Sequence, residues 1–370
     1  MTGTLLINGK EAFPAIINRI ENAKREIIIS MFIWRDDVIG NEIADALLNA
    51  ANRGVKINIT KDKVGSIFEK EEENKTSFFH REFDFRTFFE RKIVAFLYFR
   101  YLKERPGATE NRKLNDILNH PNIAVDRDQL RYDHSKYYWI DDEYLITGGI
   151  NIEDKELFPD MKGRSYADYM IEIEGADAVQ NFKEIVINKK YGDSVSPKIF
   201  YINENARGVF EIKPKVIELL DHARETIDIE MAYWGDKDII QKIIERADQG
   251  IAVSIITSQE ANLQNDYNLK VTRQILKKTA NKVKVYLSEK MVHSKFMCID
   301  QQLLFFGSAN FNRPGMEKVA ELNVLIENDN HAIAKWIAAR EEHLKVCQLI
   351  YDYRELKYNR LVSFLEGFFC

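Results

Sequence analysis

Cysteine is scarce in this 370-residue chain: Cys298, Cys347 and Cys370 are odd in number and widely spaced. That excludes a disulfide framework and a cysteine-ligated zinc site, and it fits a reducing cytosol. A surplus of one charge is missing too. The net charge of −5 gives no general electrostatic reason for nucleic-acid or anionic-lipid binding, although a local basic patch stays open. No run of about 18 apolar residues occurs, and the start, MTGTLLINGKEAF, lacks a basic segment followed by an apolar one. A cytoplasmic protein without a transmembrane segment, soluble or peripheral to a membrane, is therefore expected. Long Pro, Gly or Ser tracts are also missing, and with 45% apolar and 30% charged residues the chain reads as folded. Its length exceeds the usual size of one core, so two domains or one large pseudo-symmetric unit are expected.

What is present is an internal repeat. Residues 20–34, IENAKREIIISMFIW, align without gaps to residues 220–234, LDHARETIDIEMAYW. In each copy a helical pattern is followed by a β-branched run, which Trp34 or Trp234 closes. A second helix and strand follow, with Gly54 and Gly250 placed as helix-ending glycines. The repeat continues in DHSKYYWIDDEYLITGGIN (133–151) and VHSKFMCIDQQLLFFGSAN (292–310), where His, Lys, Asp, Gly and Asn keep one spacing. ADYMIEIEG from Ala167 and AELNVLIEN from Ala320 form a third matched block. Each half reads helix, strand, helix, strand, hairpin, strand. The expected fold is α/β, with two pseudo-twofold-related α/β/α lobes around mixed sheets, 1–195 and 196–370. A monomer that is an internal pseudo-dimer follows. Thr60 to His134 spans 74 residues and Thr257 to His293 only 36, so the first lobe carries an insertion at about 68–108.

Residues i and i+2 of a strand share a face, so His134 with Lys136, and His293 with Lys295, are expected to project together. Each pair sets a proton-transfer or nucleophilic group beside a fixed positive charge. Asp141 and Asp300 follow their histidines by seven positions, on the other face, and read as hairpin-turn residues that bond nearby amides. Asn151 and Asn310 follow Gly-containing turns; they either aim an amide at an anionic oxygen or are ordinary turn residues. Asp168 and Glu321 share one column, each about thirty residues after its histidine, where a carboxylate would bond the far ring nitrogen and fix the tautomer. His80, His120, His222, His331 and His343 have no matched partner and read as surface or helix-packing residues.

If the lobes face each other, the two histidines suit in-line displacement at phosphorus. One attacks to form a phosphohistidine while the other protonates the departing alkoxide, and the roles then reverse as water or an alcohol resolves the intermediate. The lysines and asparagines would stabilise the non-bridging oxygens. The scheme needs neither a metal nor a cofactor, and the sequence has no carboxylate cluster of metal-binding type.

With both copies laid out, the chain resembles the phospholipase D superfamily. That signature is His-x-Lys, four residues, Asp, six residues, Gly-Gly or Gly-Ser, and a nearby Asn, and both copies carry it. MFIWRDDVIGNEIADALLNAANRGVKI, GRSYADYMIEIEG and VAELNVLIEN are similar to the bacterial cardiolipin synthase branch. The resemblance covers almost the whole chain and implies a bilobal fold and metal-independent transesterification. It makes His134 the nucleophile and His293 the general acid and base. Lys136, Lys295, Asn151 and Asn310 would surround the phosphate, and Asp168 and Glu321 would orient the histidines. The first motif ends in Gly148-Gly149 and the second in Gly307-Ser308, so of Gly149 and Ser308 only the latter offers a hydroxyl to phosphate. Many bacterial cardiolipin synthases have N-terminal membrane segments, whereas this chain starts directly in catalytic-domain sequence.

The insertion is basic and aromatic, with seven Lys/Arg against four Asp/Glu between Arg81 and Arg105. It is expected to pack as a lid over the first lobe, to lie at a lipid interface, or to stack single-stranded bases. Two functions are consistent with these features. The leading one is phospholipase D-type hydrolysis of a phospholipid or phosphatidyl transfer to an alcohol; the alternative is a phosphodiesterase acting on nucleic acid.

Overall fold

The computed structural model describes residues 2–72, 76–80, 87–97, 111–190 and 198–368. The chain forms two compact units, one of residues 1–165 with 170–195 and the other of 166–169 with 196–370. The fold is α/β with mixed central sheets.

In the first unit β1 (Thr2–Ile7) leads into α1 (Asn8–Asn22), β2 (Glu26–Met31), α2 (Val38–Asn52) and β3 (Lys56–Lys61). Helices α3 (Lys63–Glu71), α4 (Phe88–Leu97) and α5 (Arg112–Asn119) then precede β4 (Ile123–Asp126). The hairpin β5 (Tyr137–Ile140) and β6 (Tyr144–Gly148) follows, and after the short β7 (Tyr166–Ala167) come β8 (Tyr169–Glu174) and α6 (Ala176–Phe182). The seven-stranded sheet runs β1-β8-β6-β5-β2-β3-β4. Strand β2 pairs in parallel with β3, as a helical crossover requires, and antiparallel with β5.

The second unit repeats this plan. It contains β9 (Phe200–Glu204), β10 (Val209–Phe210), α7 (Ile212–His222), β11 (Thr226–Met231), α8 (Lys237–Asp248), β12 (Ala252–Ser258) and α9 (Asn265–Lys278). Next come β13 (Lys284–Ser288), β14 (Met291–Val292), the hairpin β15 (Lys295–Ile299) and β16 (Leu303–Gly307), and α10 (Arg313–Glu317). The unit closes with β17 (Glu321–Glu327), α11 (Asn330–Leu344), β18 (Cys347–Ile350) and α12 (Arg360–Glu366). Its nine-stranded sheet runs β10-β9-β17-β16-β15-β11-β12-β13-β18, and β14 pairs with β7 outside it.

Matched residues make matched structure. Gly54 and Gly250 follow α2 and α8 at φ +97° and +94°, a left-handed conformation that a side chain disfavours. The hairpins keep one register, Tyr137 opposite Thr147 in the first and Phe296 opposite Phe306 in the second. At the end of β16 the strands approach so closely that a Cβ on Gly307 would lie 2.1 Å from the Leu322 carbonyl. The core strands share a buried apolar face, formed by Ile27, Ile29 and Ile57 in one unit and by Ile227, Ile229 and Ile255 in the other.

The expectation that the tryptophans close the strands is corrected. Strands β2 and β11 end at Met31 and Met231; Trp34 and Trp234 lie three residues on, each forming a single parallel bridge, to Ile152 and to Phe311. Much of the 68–108 insertion lies outside the described residues. Within it, Phe78 and Phe79 are buried against Trp34, with ring centroids 5.6 and 5.2 Å away, so this aromatic pair belongs to the core.

One acid in the first unit is poised to titrate. Asp37 caps α2 through Gly40 and accepts the Asp154 amide at 2.8 Å, while Asp154 accepts the Val38 and Ile39 amides. Burial, and then the neighbouring Asp154 charge, push the Asp37 carboxyl up to about 6. An unfolded aspartate ionises near pH 4, so folding takes up a proton between these values. The neutral acid favours the fold at low pH, and that contribution is lost as pH rises through about 6. Thermal melts should show the parent losing on the order of 2 kcal/mol between pH 4 and 6 that Asp37→Asn does not lose; parallel pH profiles would refute the assignment.

Candidate active site

Asp141 and Asp300 stand in the hairpin turns at φ +57° and +53°. Asp141 accepts the amides of Lys24, Arg25 and Glu26 at 2.7 to 2.8 Å, and Asp300 those of Arg224, Glu225 and Thr226 at 2.7 to 2.9 Å. Each carboxylate thus fastens its hairpin to the start of the neighbouring strand. Burial raises the Asp300 carboxyl, but the three amides outweigh it and hold the group below the ordinary aspartate range.

Each hairpin is preceded by its histidine. His134 and His293 are not strand residues: β5 begins at Tyr137 and β15 at Lys295. Strand alternation therefore does not set the His-Lys geometry. It is set by a hydrogen bond that both copies share, in which the buried Lys136 ammonium donates to the His134 carbonyl at 2.6 Å and the Lys295 ammonium donates to the His293 carbonyl. The approach to each motif is tied down as well. Asp62 accepts the amides of Arg131 and Asp133 at 3.1 and 2.6 Å, and Ser258 Oγ accepts the Val292 amide at 2.8 Å. Phe32 meets the His134 ring edge-on at a centroid distance of 4.8 Å.

In the second unit, the amides of His293 and Ser294 both donate to the Ala167 carbonyl, at 2.9 and 3.0 Å. This brings Asp168 to the histidine, with its Oδ2 2.8 Å from His293 Nδ1. The expected pairing of each carboxylate with the histidine preceding it is thus corrected for Asp168. It follows His134 in sequence but serves His293, because Tyr166–Tyr169 packs within the second unit. Glu321 accepts a hydrogen bond from Ser308 Oγ, which also accepts the Leu322 amide at 3.0 Å. Ser308 is fully buried, and its hydroxyl is directed at this carboxylate.

Asn151 and Asn310 are buried just beyond the hairpins, each next to the residue bridged by a tryptophan. In both, the amide oxygen is buried and has no hydrogen-bond partner. A buried polar group left unmatched at equivalent positions of two repeats points to a ligand, because it carries a desolvation cost that packing alone does not require. Gly149 is buried in the turn before Asn151.

Sequence reasoning missed the support of Asn151. Its Nδ2 lies 3.4 Å from Glu153, which pairs with Arg35 at 2.7 Å and Lys155 at 3.2 Å. Glu72 pairs with the same two cations at 2.7 and 2.6 Å. Burial disfavours the Arg35 charge, yet Glu153 and Glu72 keep its pKa above the ordinary arginine value. Burial likewise raises Glu72, but Lys155 and Arg35 prevail and hold it below the usual carboxylate range. The sequence held no signal for it, since Arg35, Glu72, Glu153 and Lys155 stand beside other charged residues like any solvated stretch. Of the histidines read as surface or helix-packing groups, His343 lies buried on α11 and is hydrogen-bonded through both ring nitrogens.

The family profile described as cardiolipin synthase, phospholipase D-like domain, matches residues 16–189 and 216–344. The chain belongs to that family. Such a member of the phospholipase D superfamily is a phosphodiesterase/phosphatidyltransferase enzyme. It is 24% identical over 349 residues to cardiolipin synthase B of Salmonella typhimurium, covering 88% of this chain and 76% of that protein. It is 25% identical over 362 residues to cardiolipin synthase 2 of Bacillus anthracis, covering 92% and 64% respectively. The crystal structure of phosphatidylserine synthase from Haemophilus influenzae superimposes with a TM-score of 0.69 at 15% identity, covering 99% of this chain and 92% of that one. That likeness places the chain in the phospholipase D fold.

Two substitutions probe these sites. Arg35→Met takes from the buried Glu72 and Glu153 one of the two cations they share and leaves excess negative charge in the interior, and urea denaturation should register a loss of about 3–5 kcal/mol. A loss under about 1 kcal/mol would remove the network from the stability of the first unit. Asp168→Asn can no longer stabilise an imidazolium at His293, so kcat for phosphodiester turnover should drop by about two to four orders of magnitude. Near-parental kcat would dissociate the pair from the chemistry.

Proposed function

We propose that this enzyme transfers the phosphatidyl group of a phospholipid through a covalent phosphohistidine, with no metal in the chemical step. The observation that carries the reading is the doubled His-Lys motif, in which each lysine is bonded to the carbonyl of its own histidine. Family membership and the cardiolipin synthase relatives support a lipid substrate. His134 Nε2 attacks phosphorus and a P–N bond forms as the P–O bond to the headgroup alcohol breaks. The departing alkoxide takes a proton from His293, whose Nδ1 is engaged by Asp168, so that Nε2 handles the transferred proton. An acceptor alcohol, or water, then gives a proton back to His293 and attacks phosphorus, and the P–N bond breaks. Lys136 and Lys295 balance the charge on the non-bridging oxygens, to which Asn151 and Asn310 would donate through their side-chain N–H groups. Glu321, carrying the Ser308 hydrogen bond, orients the other histidine.

Among the described residues no helix is long and apolar enough to cross a membrane. Substrate would then be met at a membrane surface by a peripheral enzyme.

Purified protein in chelator, offered phosphatidylglycerol vesicles and single-stranded DNA separately, should turn over the lipid and leave the DNA intact. DNA cleavage without lipid turnover would instead support a nuclease. Quenched during turnover of labelled lipid, the protein should carry its label on His134; label on His293 would reverse the two roles.

A further inference from the structure

The second unit holds a buried polar chain that the proposed chemistry does not use. His343, in α11 and 3% exposed, has Nε2 2.8 Å from Ser288 Oγ and Nδ1 3.3 Å from Glu230 Oε2. The other oxygen of Glu230, 3.0 Å from the Tyr169 hydroxyl, completes the series, and Ser288 Oγ accepts the Lys290 amide at 3.0 Å. The polarity follows from the groups. A carboxylate only accepts, so Tyr169 O–H and His343 Nδ1–H both donate to Glu230. His343 Nε2 then accepts the Ser288 hydroxyl, whose oxygen takes the Lys290 N–H. Burial and the Glu230 charge hold the Tyr169 phenol well above its usual pKa, which keeps it a donor.

A carboxylate 1% exposed is costly to bury, and an apolar residue would fill β11 more cheaply if packing were all that was needed. What Glu230 gains is control of Tyr169, the residue beside Asp168. The Tyr169 amide donates to Asp168 Oδ1 at 2.8 Å, and Asp168 Oδ2 faces His293. The Tyr169 ring packs on Phe296, centroid distance 4.6 Å, and Phe296 is stacked between Phe306 and Trp336. Ring and hydroxyl are both held, so the backbone carrying that amide has little freedom. The matching column of the first copy is Ser30, which cannot reproduce this anchor.

We propose that Glu230 and Tyr169 are positioning residues for His293: Glu230 anchors the Tyr169 hydroxyl, and the anchored Tyr169 fixes, through its own amide, the rotamer in which Asp168 faces the imidazole. Only the kinetic part of its test rests on the transfer reaction proposed above.

The test uses the full chain with 15N-labelled histidine. In Tyr169→Phe, the His293 imidazole N–H resonance, assigned by its loss in His293→Gln, should shift. Turnover of phosphatidylglycerol should show kcat lowered about ten- to a hundredfold with KM within about twofold. Glu230→Ala should match it, whereas Glu230→Gln keeps an oxygen for the Tyr169 hydroxyl and should recover most of the lost kcat. An unmoved resonance in Tyr169→Phe, or an unchanged kcat, overturns the proposal. If the parent turns over no phospholipid, the resonance alone decides, and the failure belongs to the functional reading.

Discussion

A hydrogen bond between Asp168 and His293 organises the second motif, and much of the unit around it serves to deliver that carboxylate. A histidine that moves protons needs one ring nitrogen held so that the other presents a defined state. Here the holding group comes from a four-residue segment distant in sequence, brought in by the pairing of β7 with β14 and by two amides converging on the Ala167 carbonyl. Since the same peptide plane receives the His293 amide, backbone and side chain of the histidine are registered together.

Around the two motifs the fold uses the same fastenings. An aspartate in each hairpin turn takes three consecutive amides from the start of the adjacent strand, and a tryptophan beyond that strand bridges to the residue after each asparagine. Each lysine folds back on its histidine's carbonyl. This holds side chains that follow a hairpin with the stiffness of the sheet itself, which is what a site acting by preorganised charge requires. The units differ in how they support their asparagines: the first has an interior network of Arg35, Lys155, Glu72 and Glu153 that is balanced in charge, so breaking it is far costlier than its net contribution.

How much of this was legible follows from the range of each interaction. Gly54 and Gly250, the hairpin registers and the left-handed turn positions of Asp141 and Asp300 are settled by neighbours within a few residues, whereas the amides those aspartates accept lie 74 to 117 residues away. The histidines read as strand residues because the His-Lys alternation continues into β5 and β15; what ends the strands is a bond to a distant carbonyl in one case and a capping aspartate in the other. Phe78 and Phe79 sit in a segment whose composition suited a membrane face or a lid equally, and only the position of Trp34 makes them core.

By itself the sequence determined the doubled architecture, the residues of both motifs and the turn-forming duty of Asp141 and Asp300, because repetition at constant spacing exposes functions that local geometry enforces. Tertiary structure alone decided that Asp168 serves His293, that His343 and Glu230 are joined to Tyr169, and that four buried charges balance around Asn151. Apart from Asn151, Glu153 and Lys155, which are near neighbours, these partners lie 37 to 125 residues apart, and which of them meet depends on how strands order in a sheet and on which unit claims a connecting segment. No spacing rule along the chain carries that information.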